Sequence, residues 1–241
     1  MRLSFSKIWT YLECPLKFYF QYIKKLPTKP KPYFSFGKSI HIALSEFHKL
    51  PPYPPLKSLI ESLTQNWISE GYSSKEEEMR ELERAKEILR RYYFRNIFNY
   101  QKAFAVEQRV VFKINGIEII SYIDRIDKIG DDYEIVEYKT GKNGLAYKSL
   151  GLLDESNLLQ MSIYKIAAQE ILKKKPKYIT LYYLSLPQEK IKLDIPEEKI
   201  EESKNIILEV YKKIEEGYFP KRENKFCNFC DFKKECELWK K

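Results

Sequence analysis

The sequence predicts an α/β domain in which helices flank a central mixed sheet. Three observations support this prediction. Apolar residues recur at helical spacing through about the first hundred residues, alternate with polar ones from about residue 103 onwards, and are followed by a helical stretch and a further apolar run at 176–186. With 241 residues, 44% of them hydrophobic, the chain can form one large domain with a sizeable core.

The N-terminal stretch predicts helices separated by prolines. Residues 3–26 should form two short helices that meet at Cys14-Pro15, and the segment KLPTKPKPY should be an extended loop. A helix is then predicted from Phe36 to Leu50. His41 lies at the edge of its apolar stripe, so the helix can bury one face and present the imidazole to a cleft; the stripe consists of Ile40, Ala43, Leu44 and Phe47.

Residues 51–100 look like a helical insertion. PPYPP at 51–55 precedes one predicted helix at about 56–69 and a long charged one at about 75–100. The charges of KEEEMRELERAKEILRR favour i, i+4 pairs on a solvated face over a binding site.

The sheet core is predicted at 101–195. Strands near 104–114, 117–127 and 133–139 should form an antiparallel meander, because Asn115-Gly116 and the Gly130-Asp131-Asp132 cluster supply the reversals. A helix at 155–174, a fourth strand within 176–186, a short strand at 190–195 and a helix at 197–216 complete the body.

The charge balance favours a polyanionic partner. The net charge is +9 and the isoelectric point is near 9.1, and surface Lys and Arg gain free energy by releasing counterions from a nucleic acid. An acidic membrane surface is the rival partner. No apolar run approaches the roughly 20 residues that span a bilayer, and the start of the chain has no signal-peptide core, so we expect a cytoplasmic protein without a membrane partner.

The stretch GIEIISYIDRIDKIGDDYEIVEYKTGK concentrates the chemistry. Glu137 and Lys139 should share one face of a strand while Tyr138 points to the other, and Asp124 lies on the neighbouring strand. Two carboxylates at one end of a sheet suit Mg²⁺ or Mn²⁺, which prefer oxygen ligands. Asp127 is the alternative ligand, because a register shift of one residue exchanges the two faces. Glu107 can assist from the preceding strand or be an exposed strand glutamate.

Four cysteines lie at the two ends of the chain. Cys14 is near the start, and Cys227, Cys230 and Cys236 form a C-x2-C-x5-C pattern near the end. Clustered thiolates in a reducing compartment are typical of a zinc or iron-sulfur site, and spacing alone does not separate the two. If all four bind one metal centre, it joins the chain ends and is mainly structural.

The order of the motifs resembles a known family. SFSKIWTYLECPLKFYFQYI, FGKSIHIALSEF, YIDRIDKIGDDYEIVEYKTGK, LLQMSIYKIAAQE and CNFCDFKKEC occur in the order found in RecB-like nucleases of the PD-(D/E)XK superfamily. The chain looks most similar to the iron-sulfur exonuclease branch, which includes the CRISPR-associated RecB-like exonucleases and the AddB nuclease domain. The resemblance implies a restriction-endonuclease-like core.

The resemblance also assigns roles to residues. It makes His41 the histidine that approaches the metal, Asp124 the acid that ends the second strand, and Glu137 and Lys139 the (D/E)-x-K pair, with the Tyr138 carbonyl as a further metal ligand. Relatives often have Asp in place of Glu137. Gln160 and Tyr164 match a Q-x3-Y helix. It further implies that a [4Fe-4S] cluster binds the four cysteines, in a lobe formed by 1–30 and 217–241; the ligands are Cys14, Cys227, Cys230 and Cys236.

The implied activity is metal-dependent hydrolysis of DNA, at the ends of single strands, in DNA repair, recombination or CRISPR adaptation. A helicase or a CRISPR integrase is the implied protein partner. Two other classes remain open at this point: a non-catalytic DNA-binding or complex-assembly module, and a structural protein held together by zinc.

Overall fold

The computed structural model describes residues 1–141, 154–185 and 187–236. Its sheet has five strands in the order β1 to β5, with β3 and β4 parallel and every other neighbouring pair antiparallel. The predicted mixed sheet and the antiparallel meander are therefore confirmed; residue 186, which closes the predicted fourth strand, lies outside the described residues. The strands are β1 Ala105–Ile114, β2 Ile117–Ile129, β3 Asp132–Lys139, β4 Tyr178–Tyr183 and β5 Glu189–Leu193.

Both meander turns use the residues that the sequence indicated. Asn115 and Gly116 both adopt positive φ, at 47° and 84°, which matches the twist of the strands they connect. Gly130 has φ 61° in the second turn. Each turn contains two residues, so pairing runs outward from Ile114–Ile117 and from Ile129–Asp132.

The helices follow the predicted order. The first break is at Cys14, as expected, but the helix predicted from Phe36 already begins at Pro32, because a proline at the first helical position needs no hydrogen-bonded N–H. The α-helices are α1 Phe5–Glu13, α2 Pro15–Phe18, α3 Pro32–Lys49, α4 Leu56–Gln65, α5 Lys75–Asn96, α6 Glu155–Leu172 and α7 Glu197–Glu215; a π-helical turn follows α2 at Tyr19–Ile23, and 3₁₀ turns occupy Ile97–Asn99 and Cys227–Phe229.

A layer of helices covers each face of the sheet. On one face, α1, α6 and α7 pack through residues such as Ile8, Ile163 and Ile207 against Ile119 and Leu181 of the sheet. On the other face, α3, α4 and α5 form a second core with Tyr138, Tyr182 and Leu184, and its helical members include Phe47, Leu63, Leu89 and Tyr92. Whether residues 51–100 are an insertion stays a prediction.

The alternation of β2 breaks at Asp124. Ile119 and Ile123 lie in the first core, as alternation requires, but Ile126, three residues beyond Ile123, lies in the same core. The strand therefore changes facing between these positions. At this point the backbone N–H of Tyr138 in β3 donates to Oδ2 of Asp124 over 2.8 Å. The kink turns Asp124 out of the regular alternation and fixes its carboxylate.

The two ends of the chain contact each other. The Tyr11 hydroxyl donates to the Tyr218 carbonyl over 2.6 Å, and the backbone N–H of Leu16 donates to Pro220 over 3.2 Å. The rings of Phe18 and Phe219 stack with centroids 6.1 Å apart. Among the described residues no helix combines the length and the apolar character needed to cross a bilayer.

Candidate active site

Three carboxylates lie in a row across β1, β2 and β3. Val106–Arg125 and Gln108–Ile123 are paired, so Glu107 lies opposite Asp124 between them. Arg125–Val136 is the last recorded pair of β2 with β3, and the next positions along these strands are Asp124 and Glu137. The two short turns thus determine which acids become neighbours.

His41 of α3 joins this row. Its Nδ1 lies 3.3 Å from Oδ1 of Asp124. One ligand atom each from His41, Glu107 and Asp124 can be chosen so that all three lie within 4.8 Å of one another, a spacing suited to one metal ion. Glu107 is exposed, yet its carboxylate lies beside His41 and Asp124; its role as a site residue stays a prediction. Its φ of 45° is unusual for a residue with a side chain in a strand.

Asp124 does not end its strand, contrary to what the resemblance implied. β2 continues to Ile129, and Asp124 lies in its interior, where pairing with β3 stops. The physical reason is continued pairing: Arg125 and Ile126 still pair with β1, and residues 125–129 pair with β3. The Asp124 carboxylate itself accepts the Tyr138 N–H. Asp124 is only 8% exposed, so little water competes for its oxygens.

Glu137 and Lys139 share one face, as alternation predicted, and α6 completes their surroundings. Oε1 of Glu137 accepts from Lys139 Nζ over 3.0 Å and from Gln160 Nε2 over 2.9 Å. Gln160 in turn accepts from Lys139 over 2.6 Å, and its Nε2 lies 3.2 Å from the Tyr164 hydroxyl. Glu137 is 5% exposed, and its Oε2 has no hydrogen-bond partner. An unpaired buried carboxylate oxygen is costly unless a cation binds it.

The charges of the site are strongly coupled. Burial and the nearby Glu137 carboxylate raise the pKa of Asp124 to about 6. Burial opposes ionisation of Glu137 too, but Lys139 and His41 outweigh it and hold its pKa below the ordinary value. Burial likewise opposes protonation of His41, but the Asp124 carboxylate and two further acids raise its pKa to about 9. The cluster thus attracts positive charge, which a divalent cation supplies more fully than a proton.

Asp127 lies apart from this cluster. Both of its oxygens accept from Arg125 Nε, at 2.8 and 3.0 Å, and the Arg125 guanidinium also contacts His48 Nε2 over 2.7 Å. Tyr138 points to the same side as Arg125, away from Glu137 as predicted, and its hydroxyl accepts from Arg125 over 2.8 Å. The structure therefore brings Asp124 to the His41 group and places Asp127 in a buried ion pair.

The four cysteines line one cavity of about 760 Å³ between the chain ends. Burial raises the pKa of Cys230, and Cys14 and Cys236 are close enough to raise it further. Four thiol groups that line one cavity are a donor set that fits a metal centre.

Known proteins share this fold. The chain resembles the crystal structure of a "Putative exonuclease" from Eubacterium rectale, with a TM-score of 0.57, 12% identity, and coverage of 95% of this chain and 86% of that one. The crystal structure of SSO0001 matches with a TM-score of 0.48, 13% identity, and coverage of 98% and 86%. At these identities the likeness concerns the fold. No curated protein matches the sequence.

The sequence itself gives the family. The model of the PD-(D/E)XK nuclease superfamily matches residues 2–237, nearly the whole chain. This superfamily uses divalent metal ions, and the His41, Glu107 and Asp124 group is able to bind one. The chain belongs to the PD-(D/E)XK nuclease superfamily.

Proposed function

We propose that the protein is a metal-dependent deoxyribonuclease that hydrolyses phosphodiester bonds at the carboxylate row. The observation that carries this proposal is the meeting of Asp124, Glu137 and His41 beside the unpaired, buried Oε2 of Glu137. The carboxylate already pairs with Lys139 through Oε1, so Oε2 is the oxygen that remains open to a metal ion.

The metal ligands are His41, Asp124, Glu137 and the Tyr138 carbonyl, with Glu107 as a further ligand from β1. Mg²⁺ or Mn²⁺ bound there supplies an activated water and charge relief at the phosphate. Asp124 is held in place by the Tyr138 N–H, so its carboxylate needs no reorientation to bind the ion. Asp124 and Glu137 are buried, which limits competition from bulk water and strengthens their interactions with the cation.

Lys139 orients the attacking water or stabilises the phosphate. Its Nζ is held between Glu137 Oε1 at 3.0 Å and Gln160 Oε1 at 2.6 Å, so the ammonium has a fixed direction. Burial holds the pKa of Tyr164 well above its ordinary value, so its hydroxyl keeps its proton. Gln160 and Tyr164 therefore position Lys139 and Glu137 without adding charge.

We assign the finer activity, exonuclease action at single-stranded DNA ends, on the strength of the resemblance to the RecB-like iron-sulfur branch. The same resemblance supports a cytoplasmic role in DNA repair, recombination or CRISPR adaptation, with a helicase or an integrase as partner. The net charge of +9 supports DNA as the substrate.

The test is digestion of end-labelled single-stranded and duplex DNA with Mg²⁺ or Mn²⁺. We expect the parent to shorten single strands from an end, and Glu137→Gln to lose this activity. Glu118→Gln is the matched control, because Glu118 is an exposed carboxylate of β2 paired with Arg2. Cleavage by Glu137→Gln at the parent rate would refute the site. No metal-dependent cleavage by the parent would favour a non-catalytic DNA-binding or assembly module.

We also assign a [4Fe-4S] cluster to Cys14, Cys227, Cys230 and Cys236. Their common cavity supports one shared metal centre, and the resemblance to the RecB-like iron-sulfur branch favours the cluster over one zinc ion. Protein purified without oxygen should be brown and contain iron and sulfide, and replacing Cys14 by Ser should remove the colour. Colourless protein containing one equivalent of zinc would contradict this assignment and return the site to structural zinc.

A further inference from the structure

We propose that Tyr33 and Phe34 form a stacking platform for unpaired bases of the substrate strand, and that Lys38 binds an adjacent backbone phosphate. The inference rests on the proposed function, since it names a contact that guides nucleic acid to the metal group. The occupant is a single strand of nucleic acid.

The two rings form an exposed apolar patch. Tyr33 is 61% exposed and Phe34 is 67% exposed, and their ring centroids are 4.4 Å apart. Two adjacent large aromatic side chains in water lose the stabilisation that burial would provide, so an exposed pair indicates a binding surface. Every base has a π-face, and stacking on an aromatic ring contributes about 1–3 kcal/mol per base whatever its sequence.

The platform is aligned with the metal group by α3 itself. Phe34, Lys38 and His41 follow one another at i, i+4 and i+7, so they lie along one stripe of the helix. Seven residues of α-helix rise about 10 Å, which is roughly three nucleotides of a stacked strand at about 3.4 Å each. A strand stacked on Phe34 therefore reaches His41 within a few nucleotides.

Close packing of α3 on the sheet keeps this stripe beside the reaction centre. A Cβ at Gly37 would lie 3.1 Å from Oγ1 of Thr140, the residue that follows Lys139. A larger residue there would make a tight contact, so the Thr140 side chain or the helix would have to shift by a few tenths of an ångström. Gly37 thus lets the stripe lie next to the carboxylate row.

The surroundings match a single strand in charge and shape. Tyr33, Phe34 and Lys38 line the cavity that holds the cysteines, and its lining also includes Phe229, which is 77% exposed. Lys29 and Lys38 are exposed at its wall, while Lys31 is paired with Asp231 over 2.6 Å. Exposed aromatic rings and lysines in the lining of one cavity suit splayed bases and a phosphate backbone, as in binders of single strands.

The experiment measures binding without turnover. Affinity of full-length Glu137→Gln protein for a fluorescein-labelled oligo-dT and for a duplex of equal length is measured by anisotropy, and compared with the same protein carrying Tyr33→Ala and Phe34→Ala. We expect oligo-dT to bind about 10- to 100-fold more weakly, with duplex affinity changed less than threefold. Phe98→Ala is the matched control, because Phe98 is 84% exposed and does not line the cavity.

Two further variants guard against a folding artefact. Phe34→Trp keeps an aromatic face and should retain the affinity for oligo-dT. Lys38→Ala should lower the slope of log affinity against log salt by about 0.7, the value for one contact with a single-strand phosphate. Equal loss for duplex and single strand, or no loss with the double alanine variant, would overturn the platform. If the double alanine variant keeps its affinity for oligo-dT but loses binding to a protein or a vesicle, the patch is reassigned to that partner.

The outcomes separate this inference from the proposed function. If the parent cleaves no DNA but the double alanine variant loses oligo-dT affinity, the proposed activity fails and the platform stands. If the parent cleaves DNA and the double alanine variant binds oligo-dT as tightly as the Glu137→Gln protein in which it was made, the platform fails and the activity stands.

Discussion

Two neighbouring polar clusters in the same motif use similar residues for different ends. The first contains Asp124 with His41, Glu137 and Lys139. The second contains Asp127 with Arg125 and His48. Each has a carboxylate, an imidazole and a cation, and the two aspartates are three positions apart in IDRID.

The clusters differ in how their charges are balanced. In the second cluster, the Arg125 guanidinium meets both Asp127 oxygens and also the hydroxyls of Tyr92 and Tyr138, each at 2.8 Å. In the first, counting Glu107 from β1, three carboxylates face the two cations Lys139 and protonated His41, and Oε2 of Glu137 has no hydrogen-bond partner. The residue types in a cluster therefore do not distinguish a metal-ligand site from a structural ion pair. The excess of negative over positive charge does distinguish them.

The largest expected effect comes from breaking the balanced cluster. Arg125→Met leaves Asp127 as a buried, unpaired charge, so we expect a loss of about 3–5 kcal/mol in the free energy of unfolding. Urea denaturation measures it. Adding Asp127→Leu to Arg125→Met should restore much of the loss, because no buried charge remains. Equal stability of Arg125→Met and parent would show that this cluster does not stabilise the fold.

Two matched variants in one motif test whether Asp124 serves metal-dependent cleavage and Asp127 serves stability. Asp124→Asn should lower metal-dependent cleavage by about 10²–10³-fold, because a ligand that stabilises charge in the transition state is lost, while stability changes little. Asp127→Asn should keep cleavage within a few fold and lower stability. Initial cleavage rates and urea midpoints measured on both proteins check the pair. The reverse pattern would make Asp127 the ligand and restore the alternative register.

Acid should weaken the balanced cluster through His48. Burial and the Arg125 charge hold the pKa of His48 well below its ordinary 6.5, so the unfolded chain binds a proton that the folded protein does not. Its stabilising contribution is present above pH 6.5 and falls on acidification by about 1.4 kcal/mol per pH unit, or about 2 kcal/mol at pH 5.

His48→Gln should remove this pH dependence while keeping an acceptor for Arg125. Urea denaturation of both proteins between pH 7 and pH 5, without metal, gives the difference. Parallel stability curves would mean that His48 is not the titrating group.

The smallest expected effect is at the edge of the carboxylate row. Glu107→Gln should raise the Mn²⁺ concentration needed for half-maximal cleavage by about tenfold, because one charged ligand becomes neutral. Gln108→Glu is a control at the next position of β1. The charge that it adds should change the Mn²⁺ concentration for half-maximal cleavage by much less than Glu107→Gln does. A metal requirement unchanged by Glu107→Gln would leave Glu107 outside the site.

Much of the fold could be predicted because hydrophobic period and turn residues are local signals. The strands, the Cys14 break and the shared facing of Glu137 and Lys139 all follow from them. The row of three acids was also available: pairing counted outward from the two turns brings Glu107 opposite Asp124 and Asp124 opposite Glu137.

The kink at Asp124 could not be predicted in this way. It depends on a carboxylate accepting the Tyr138 N–H in place of the regular ladder, a choice decided by tertiary packing around both strands. The contacts of Arg125 with His48 and Tyr92 could not be predicted either, because these two residues come from helices that are distant in the sequence.

The meeting of the chain ends also bears on how the protein is made. Tyr11 and its acceptor Tyr218 are 207 residues apart in the sequence. At synthesis rates of about 5–20 residues per second, roughly 10–40 s therefore pass between the synthesis of Tyr11 and that of Tyr218. During this interval the aromatic surface of Tyr11 and Phe18 is uncovered. The N-terminal helices thus depend on residues that are translated much later, and termination before them would release a chain with exposed aromatic surface that favours aggregation.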